Sequence, residues 1–371
     1  VLGAGLMGRS AVYDFAQQED VEEVVVADYE LARAKEVAER YGNGKTKAVQ
    51  LDVSDCAALR DLLKDCAAAL GAVSYKYNEA ISKAAIETKT HYVDLGGNNT
   101  VVEAQFALSE KAKEAGVALV PDCGIAPGAV GIFAASCLEK LPGAHSVRIR
   151  VGGLPKNPEP PLNYQVVFSA EGLINEYKEP TIILKDGEVK EVPTLGELES
   201  LTFPEPFGEL EAFNTSGGVS TLPHTLKDKV ANIDYKTIRY KGHCHIVRAL
   251  FALGLADEEP QTAAGKEYVP RKVLEHQIVK TLGGDEADVI LALIEAEGAE
   301  GKFAYRIIDY LDEKTGLSAM ARCTSFPATI IAHMLASGEV SDRGTLHQEL
   351  SIPPTKFIEE FRKRGIEVEE L

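Results

Sequence analysis

From Val1 to about Leu141, short apolar runs alternate with stretches of helical period. The apolar stub VLGAG runs into a helical pattern through AVYDFAQQ. EEVVVAD then reads as a strand, and ELARAKEVAERYG, with apolar positions three and four apart, as a helix. The alternation continues through KAVQLDV (strand), CAALRDLLKDC (helix), AAALGAV (strand), NEAISKAAIE (helix), HYVDLGG (strand), VVEAQFALSEKAKEAG (one helix) and VALVPD (strand). Apolar strands separated by helices predict an α/β domain built on a Rossmann-type, doubly wound parallel sheet.

After Gly152 the texture changes. GGLPKNPEPPLNY is rich in Pro and Gly, and strands with alternating polarity follow. LKDGEVKEV predicts a hairpin, because Asp186 and Gly187 tolerate the positive φ angles of a two-residue turn. DVILALIEAEG and KFAYRIIDYLDE predict a second antiparallel pair, and DYKTIRYKGHCHI reads as a strand. TSFPATIIAHMLASG reads as an apolar helix and KFIEEFRKRG as an amphipathic one. The middle of the chain is therefore expected to be an α+β domain with a mainly antiparallel sheet.

A chain of 371 residues exceeds what one core supports, which is about 250 residues, and so predicts two domains. The composition, 45% hydrophobic and 26% charged, is that of an ordinary globular protein. No run approaches the roughly 20 apolar residues of a membrane span, so no membrane partner is expected. A net charge of −18 with no basic cluster argues against nucleic acid. The six cysteines are scattered, with no CxxC pair, which fits a reducing, cytoplasmic setting.

The opening glycines carry the first chemistry. Gly3, Gly5 and Gly8 follow an apolar stub and open a helix, at Leu6 and Met7, and Asp28 ends the next strand twenty residues after Gly8. A dinucleotide uses this arrangement by laying its pyrophosphate on the helix N-terminus and its adenosine ribose on the carboxylate. Asp28 favours NAD, since it would repel the extra phosphate of NADP; Arg33 and Lys35 soften that preference. Asp52 and Val53 are placed for the adenine, although Asp52 reads equally well as a cap for the following helix. Gly71, Ala72 and Val73 allow backbone approach to the nicotinamide ribose.

Candidate substrate and catalytic residues lie at strand ends, where doubly wound sheets bind ligands. Tyr75, Lys76, Tyr77 and Asn78 follow the fourth strand. Asp94 with Gly96 and Gly97 ends the fifth, and Asp122 with Cys123 ends the sixth. Asp94, Asp122 and Lys76 are candidates for proton transfer. In the second domain Arg239 offers the planar fork that captures a carboxylate, and Asn214 to Thr221, including Thr215 and Ser216, offers hydroxyls. His243 and His245 form an HxH without further ligand pattern, so no metal is expected.

Nearly end to end, these residues resemble the saccharopine dehydrogenase family. The matching segments are VLGAGLMG, VADYELARA, VSYKYN, YVDLGG, PDCGIAPG, VGGLPKNPEPPLNYQVVFS, EAFNTSGG, TIRYKGH and AMARCTSFPATI. The resemblance implies a dinucleotide-binding domain over 1–127, a substrate-binding and dimerisation domain over 128–319, a return segment over 320–371 packing on the first domain, and a homodimer. One departure is Ser74 before Tyr75, where relatives often carry Pro. The nearest branch implies NAD-dependent oxidative deamination of L-lysine at its ε-carbon. The product is 2-aminoadipate 6-semialdehyde, which cyclises to Δ1-piperideine-6-carboxylate, with ammonia and NADH. Arg239 would hold the α-carboxylate. Tyr77, Asn78, Gly97, Thr215 and Ser216 are the remaining substrate-binding candidates. The alternatives are a saccharopine or carboxynorspermidine type of secondary-amine dehydrogenase or reductase, and a non-catalytic NAD-binding regulatory protein.

Overall fold

The structure, a computed structural model, describes residues 1–284 and 287–371. These fall into two compact units: Val1–Lys140 with Val219–Thr225 and Ala321–Val368, and Leu141–Gly218 with Leu226–Met320 and Glu369–Leu371.

The first unit is a parallel sheet. Thr46–Gln50 pairs with Val24–Asp28, and Leu2 bridges Ala27 on one side and Gly71 on the other. Ala68–Gly71, His91–Asp94, Ala118–Val120 and Gly344–Thr345 continue in that order. The glycine-rich segment thus leaves the middle of the sheet, at the point where the strand order reverses, and ligands of such sheets bind there. Leu2, Leu59, Leu63, Ile81, Tyr92 and Leu119 form the core beneath it.

Two expectations are revised here. The stretch read as a single helix is two, Asn99–Phe106 and Ser109–Ala115. The Thr345 hydroxyl donates to the Gln105 carbonyl (2.7 Å), and the Thr345 N–H donates to Ser109 Oγ (3.1 Å), so the strand Gly344–Thr345 bonds to both sides of the break. The helix Ala129–Lys140, beyond the expected boundary at 127, lies in the first unit. There Phe133 packs edge-on against Phe357 and Phe361 of the helix Pro354–Lys363.

The returning helix Ala319–Ala336 is tied to the first helix, Leu6–Gln17. Ser325 Oγ donates to the Met7 carbonyl (2.8 Å), the Thr329 hydroxyl donates to Asp14, and the Arg364 guanidinium pairs with Asp14 (2.8 Å). Burial pushes the Asp14 carboxyl up from its ordinary range, and Arg364 works against that shift.

The second unit holds a mixed sheet. Gly301–Tyr310, Asp288–Gly298, Ala144–Pro155, Asn232–Arg239, Gly208–Asn214 and Glu199–Phe203 follow one another across it. The 288–298 and 301–310 strands are antiparallel, and the hairpin 181–192 turns at Asp186 (φ 54°) and Gly187 (φ 79°). One neighbour pair, 144–155 with 232–239, is parallel. The strand ends at Arg239; Gly242, at φ 93°, starts the helix His243–Ala252, so the HxH stands on a helix and not on the strand. No helix among the described residues is long and apolar enough to cross a membrane.

Candidate functional site

In the first unit the glycine-rich turn is shaped by close packing. Gly3 has φ 100°, and a Cβ there would lie 2.5 Å from the Ala72 carbonyl oxygen. A Cβ on Gly8 would lie 1.9 Å from the Gly3 oxygen. Around Gly5 nothing lies within 4 Å of that position, and Gly5 caps a 12-residue helix without any side-chain hydrogen bond. Backbone is therefore bare where a pyrophosphate would meet the helix N-terminus. Leu6, 36% exposed, and Met7 begin that helix. Gly8→Ala should force turn and helix apart at a cost of about 1–3 kcal/mol. A lowered melting temperature together with lost dinucleotide binding checks this.

A cleft of about 440 Å³ opens on the turn, taking in Gly3, Gly5, Asp28, Asp52, Val53 and the Ala72–Val73 backbone, with Tyr29 and Arg33 at its side. Asp28 is buried; one oxygen accepts from the Ala4 N–H (2.8 Å) and the other from the Glu30 N–H (2.9 Å). Arg33 approaches it to 3.9 Å and lies over the Tyr29 ring. Asp52 accepts from Ser54 N and Oγ, and that hydrogen bonding holds its carboxyl below the ordinary range. The cap of the helix Cys56–Leu63 is Asp55, so the capping alternative for Asp52 falls away.

Two carboxyl groups stand at the ends of the next strands, and the charge of Glu349, on the helix Gln348–Ser351, reaches one of them, Asp122. Asp94, fully buried, accepts from Gly96 N (2.8 Å), Asp122 N (3.2 Å) and Gln105 Nε2 (2.7 Å). These bonds hold the strand ends together, and burial pushes the Asp94 carboxyl up from its ordinary range. Asp122, at φ 60°, accepts from the Ser220 hydroxyl, and its side chain fills the space a Cβ on Gly96 would need. Burial, and secondarily the charge of Asp94, push its carboxyl up to about 7. Glu349 accepts from Thr221 Oγ1 (3.2 Å), and Thr221 meets His347 Nδ1 (3.1 Å). Burial drives the Cys123 thiol well above its usual range, which leaves it a poor nucleophile.

The segment after the fourth strand divides. Gly97 lies against the Tyr75 ring, Lys76 is exposed with its ammonium 4.8 Å from the centre of the Tyr77 ring, and Tyr77 lines the cofactor cleft. Asn78 departs from the expected substrate-facing placement. It is buried, and its Oδ1 accepts from the Tyr92 hydroxyl (3.1 Å), which ties the start of its helix to the neighbouring strand.

The second unit carries a separate cluster around Arg239, which is 2% exposed. Its Nε donates to the Tyr177 hydroxyl (2.9 Å), its Nη1 donates to the Ile238 carbonyl (2.9 Å), and its guanidinium lies 4.7 Å from the centre of the Tyr164 ring. Tyr177 in turn meets His243 Nε2 (3.0 Å), and His243 Nδ1 meets the Leu162 carbonyl (3.0 Å). A carbonyl only accepts, so Nδ1 carries the proton and Nε2 receives the phenol's. Burial, then Arg239, push His243 down to about 3, so the imidazole is neutral. His245 is exposed and takes no part. Thr215 Oγ1 bonds Thr237 Oγ1 (2.7 Å), and Ser216 Oγ donates to the Asn175 carbonyl (3.3 Å). These two hydroxyls brace the wall of the cluster.

Glu176 was not singled out by the sequence reading. Its carboxylate stands 3.8 Å from Arg239 Nη2. The available signal was its position on the helix Ala170–Lys178, three residues after the buried Leu173 and next to the buried Tyr177. Burial pushes its carboxyl up to about 7 against the pull of Arg239, although 33% of the side chain still meets solvent.

Comparison with known proteins agrees with this division. Residues 1–120 match the saccharopine dehydrogenase NADP binding domain, which identifies them as a pyridine-nucleotide domain, and residues 124–366 match the saccharopine dehydrogenase C-terminal domain. The chain is 26% identical over 303 residues to the saccharopine dehydrogenase (NADP(+), L-glutamate-forming) of Pyricularia oryzae, covering 79% of this chain and 65% of that protein. It is 22% identical over 391 residues to the carboxyaminopropylagmatine dehydrogenase of a Synechocystis species, covering 99% and 95%. The apo L-Glu-forming saccharopine dehydrogenase of Saccharomyces cerevisiae has the same fold, with a TM-score of 0.81 over 100% of this chain and 98% of that one at 20% identity. The chain spans a little under two thirds of the curated fungal saccharopine dehydrogenases it matches, 65% and 63% of their lengths. On the two matched models, which together run through both units, the chain belongs to the saccharopine dehydrogenase family.

Proposed function

We propose that the protein oxidises the ε-carbon of L-lysine with NAD, acting as a lysine 6-dehydrogenase. The observation that carries the choice of substrate is the single available guanidinium of the Arg239 cluster. The neighbouring Arg271 is already engaged by Glu275 (2.9 Å), Glu258 (2.6 Å) and Asn175, so among the described residues it offers no fork to a second anionic arm. A substrate with one carboxylate suits this arrangement better than saccharopine, whose glutamate-like arm brings two more.

The reading assigns the cofactor to the first unit. When bound, NAD supplies the hydride acceptor. The glycine-rich turn orients the pyrophosphate, and Asp28 takes the adenosine ribose and disfavours an added phosphate. Asp122 takes a proton from the ε-ammonium, which has no lone pair until it is deprotonated, and Ser220 orients the carboxyl for that transfer. Asp94 positions Asp122 and the Gly96–Gly97 turn. Lys76, exposed and stacked on Tyr77, is left without a proton-transfer role.

The specific observation behind the rival reading, a secondary-amine substrate, is the name borne by the curated fungal relatives. Incubation with NAD and L-lysine should yield NADH and ammonia in equal amounts, with the cyclic imine trapped by 2-aminobenzaldehyde. Faster turnover of saccharopine, or no turnover of any amine, overturns the assignment.

A further inference from the structure

We propose that Glu176 and Arg239 form a paired receptor for the head of an α-amino acid, Arg239 taking the carboxylate and Glu176 the α-ammonium, so that Glu176 sets selectivity for α-amino acids. The inference rests on the amino-acid substrate class proposed above and adds the group that reads the α-amine.

Three observations support it. The Arg239 guanidinium has partners on Nε and Nη1, but Nη2 has no hydrogen-bond acceptor among the described residues. Its nearest carboxylate oxygen, on Glu176, stands at 3.8 Å, beyond hydrogen-bond reach. The Tyr164 hydroxyl, on the ring beneath that guanidinium, is buried and has no hydrogen-bond partner among the described residues. A buried donor in that state is expensive unless a ligand completes it. Finally, Glu176 is open to solvent on one side, 33% of its side chain being exposed, while Arg239 is closed in at 3%. A carboxylate entering here would meet Arg239 Nη2 and the Tyr164 hydroxyl. An ammonium on the adjacent carbon would then fall beside Glu176, replacing an imperfect internal pair with two complementary ones.

The pair also implies a pH dependence. The charged and titratable groups facing Glu176 are Arg239 and Tyr235 from the strand, and Tyr164 and Tyr177; the neutral His243 lies behind Tyr177. With Glu176 raised to about 7, it is increasingly protonated below that pH and loses the charge that attracts an ammonium. KM for an α-amino acid should therefore climb as pH falls through 7.

The test compares L-lysine with 6-aminohexanoate, which lacks the α-amine, and with 1,5-diaminopentane, which lacks the carboxylate. The wild type should prefer lysine to 6-aminohexanoate by at least about tenfold in kcat/KM, which corresponds to about 1.4 kcal/mol. Glu176→Gln should bring that ratio close to one, by raising KM for lysine alone, and should flatten the pH dependence of KM. Glu176→Asp, which keeps the charge, should restore part of the preference. A merely structural role for Glu176 lowers both substrates together, and that outcome overturns the receptor. If the wild type oxidises another amino acid in place of lysine, the substrate assignment fails, and the same ratio is read with that substrate and its des-amino analogue. If no amine is turned over, calorimetric binding of lysine and 6-aminohexanoate decides: equal affinities overturn the receptor, and a preference for lysine that Glu176→Gln abolishes supports it.

Discussion

Replacing Asp122 by Asn is expected to remove nearly all turnover, about 10²–10⁴-fold in kcat, as loss of a general base does, while making the folded protein more stable at pH 8. Both effects follow from one displaced proton equilibrium. Free lysine holds its ε-proton with a pKa of about 10.4, so at neutral pH few molecules carry the lone pair that hydride loss requires. A carboxyl raised to about 7 is a far better match to that proton than one left at its ordinary 3.8. Turnover in the wild type should rise with pH through about 7 as Asp122 ionises, and this limb should vanish in the Asn variant.

The stability effect has the opposite sign. A carboxyl whose folded pKa lies above its unfolded value favours the folded state while protonated. That contribution is complete below about pH 4 and is lost as pH rises through 7. Asn never ionises, accepts from the same Ser220 hydroxyl, and tolerates the left-handed backbone at φ 60°. The variant should therefore melt at least about 2 °C above the wild type at pH 8, the shift roughly 1 kcal/mol gives in a chain of this kind, and level with it near pH 4. Melting curves at the two pH values, beside the rate profile, separate a catalytic Asp122 from a structural one. Unchanged turnover at raised stability would remove it from the chemistry.

The two halves of the chain differed in what their sequence disclosed. Helical and strand periods identify nearly every element of the parallel sheet, because each βα unit is written locally: an apolar strand, a turn glycine, an amphipathic helix. Where that reading failed, the cause lay far away in the chain. The break after Phe106 is bridged by Thr345, 240 positions from Gln105. The parallel pairing of 144–155 with 232–239 joins strands separated by a hairpin, two helices and two further strands, which no local period records.

The site shows the same limit. Gly3, Gly5, Gly8 and Asp28 stood out as candidates because their spacing is local, and Arg239 because its planar fork sits on a strand of alternating polarity. Asp94 and Asp122 looked alike as strand-end carboxylates. What distinguishes them is spatial: Asp94 takes three N–H donors, whereas Asp122 takes the Ser220 hydroxyl and the Gly97 N–H. Glu176 resembled a solvated helix residue, since its meaning depends on Arg239 on a distant strand.

Asp28 offers the second large effect: on the proposed NAD preference, Asp28→Asn should shift the NADP-to-NAD ratio of kcat/KM upward by about 10²-fold. A 2′-phosphate bound at this position would stand within a few ångströms of the carboxylate, and like charges about 4 Å apart near a protein surface repel by about 4 kcal/mol. The family domain matched by residues 1–120 is named for NADP, so the charge of Asp28 is what a preference of this chain for NAD would rest on. Arg33 makes the reversal available. It lies 3.9 Å from Asp28, is 40% exposed in its side chain and stacks on Tyr29, so removing the carboxylate frees a guanidinium for phosphate. Asn keeps an acceptor for the Ala4 N–H that Asp28 now receives at 2.8 Å, which preserves the glycine-rich turn. Asp28→Ser, too short for that bond, should lose affinity for both cofactors while shifting the ratio the same way. A wild type indifferent to the two cofactors, or an Asn variant with an unchanged ratio, would mean that the carboxylate serves the turn alone and that another residue chooses the cofactor.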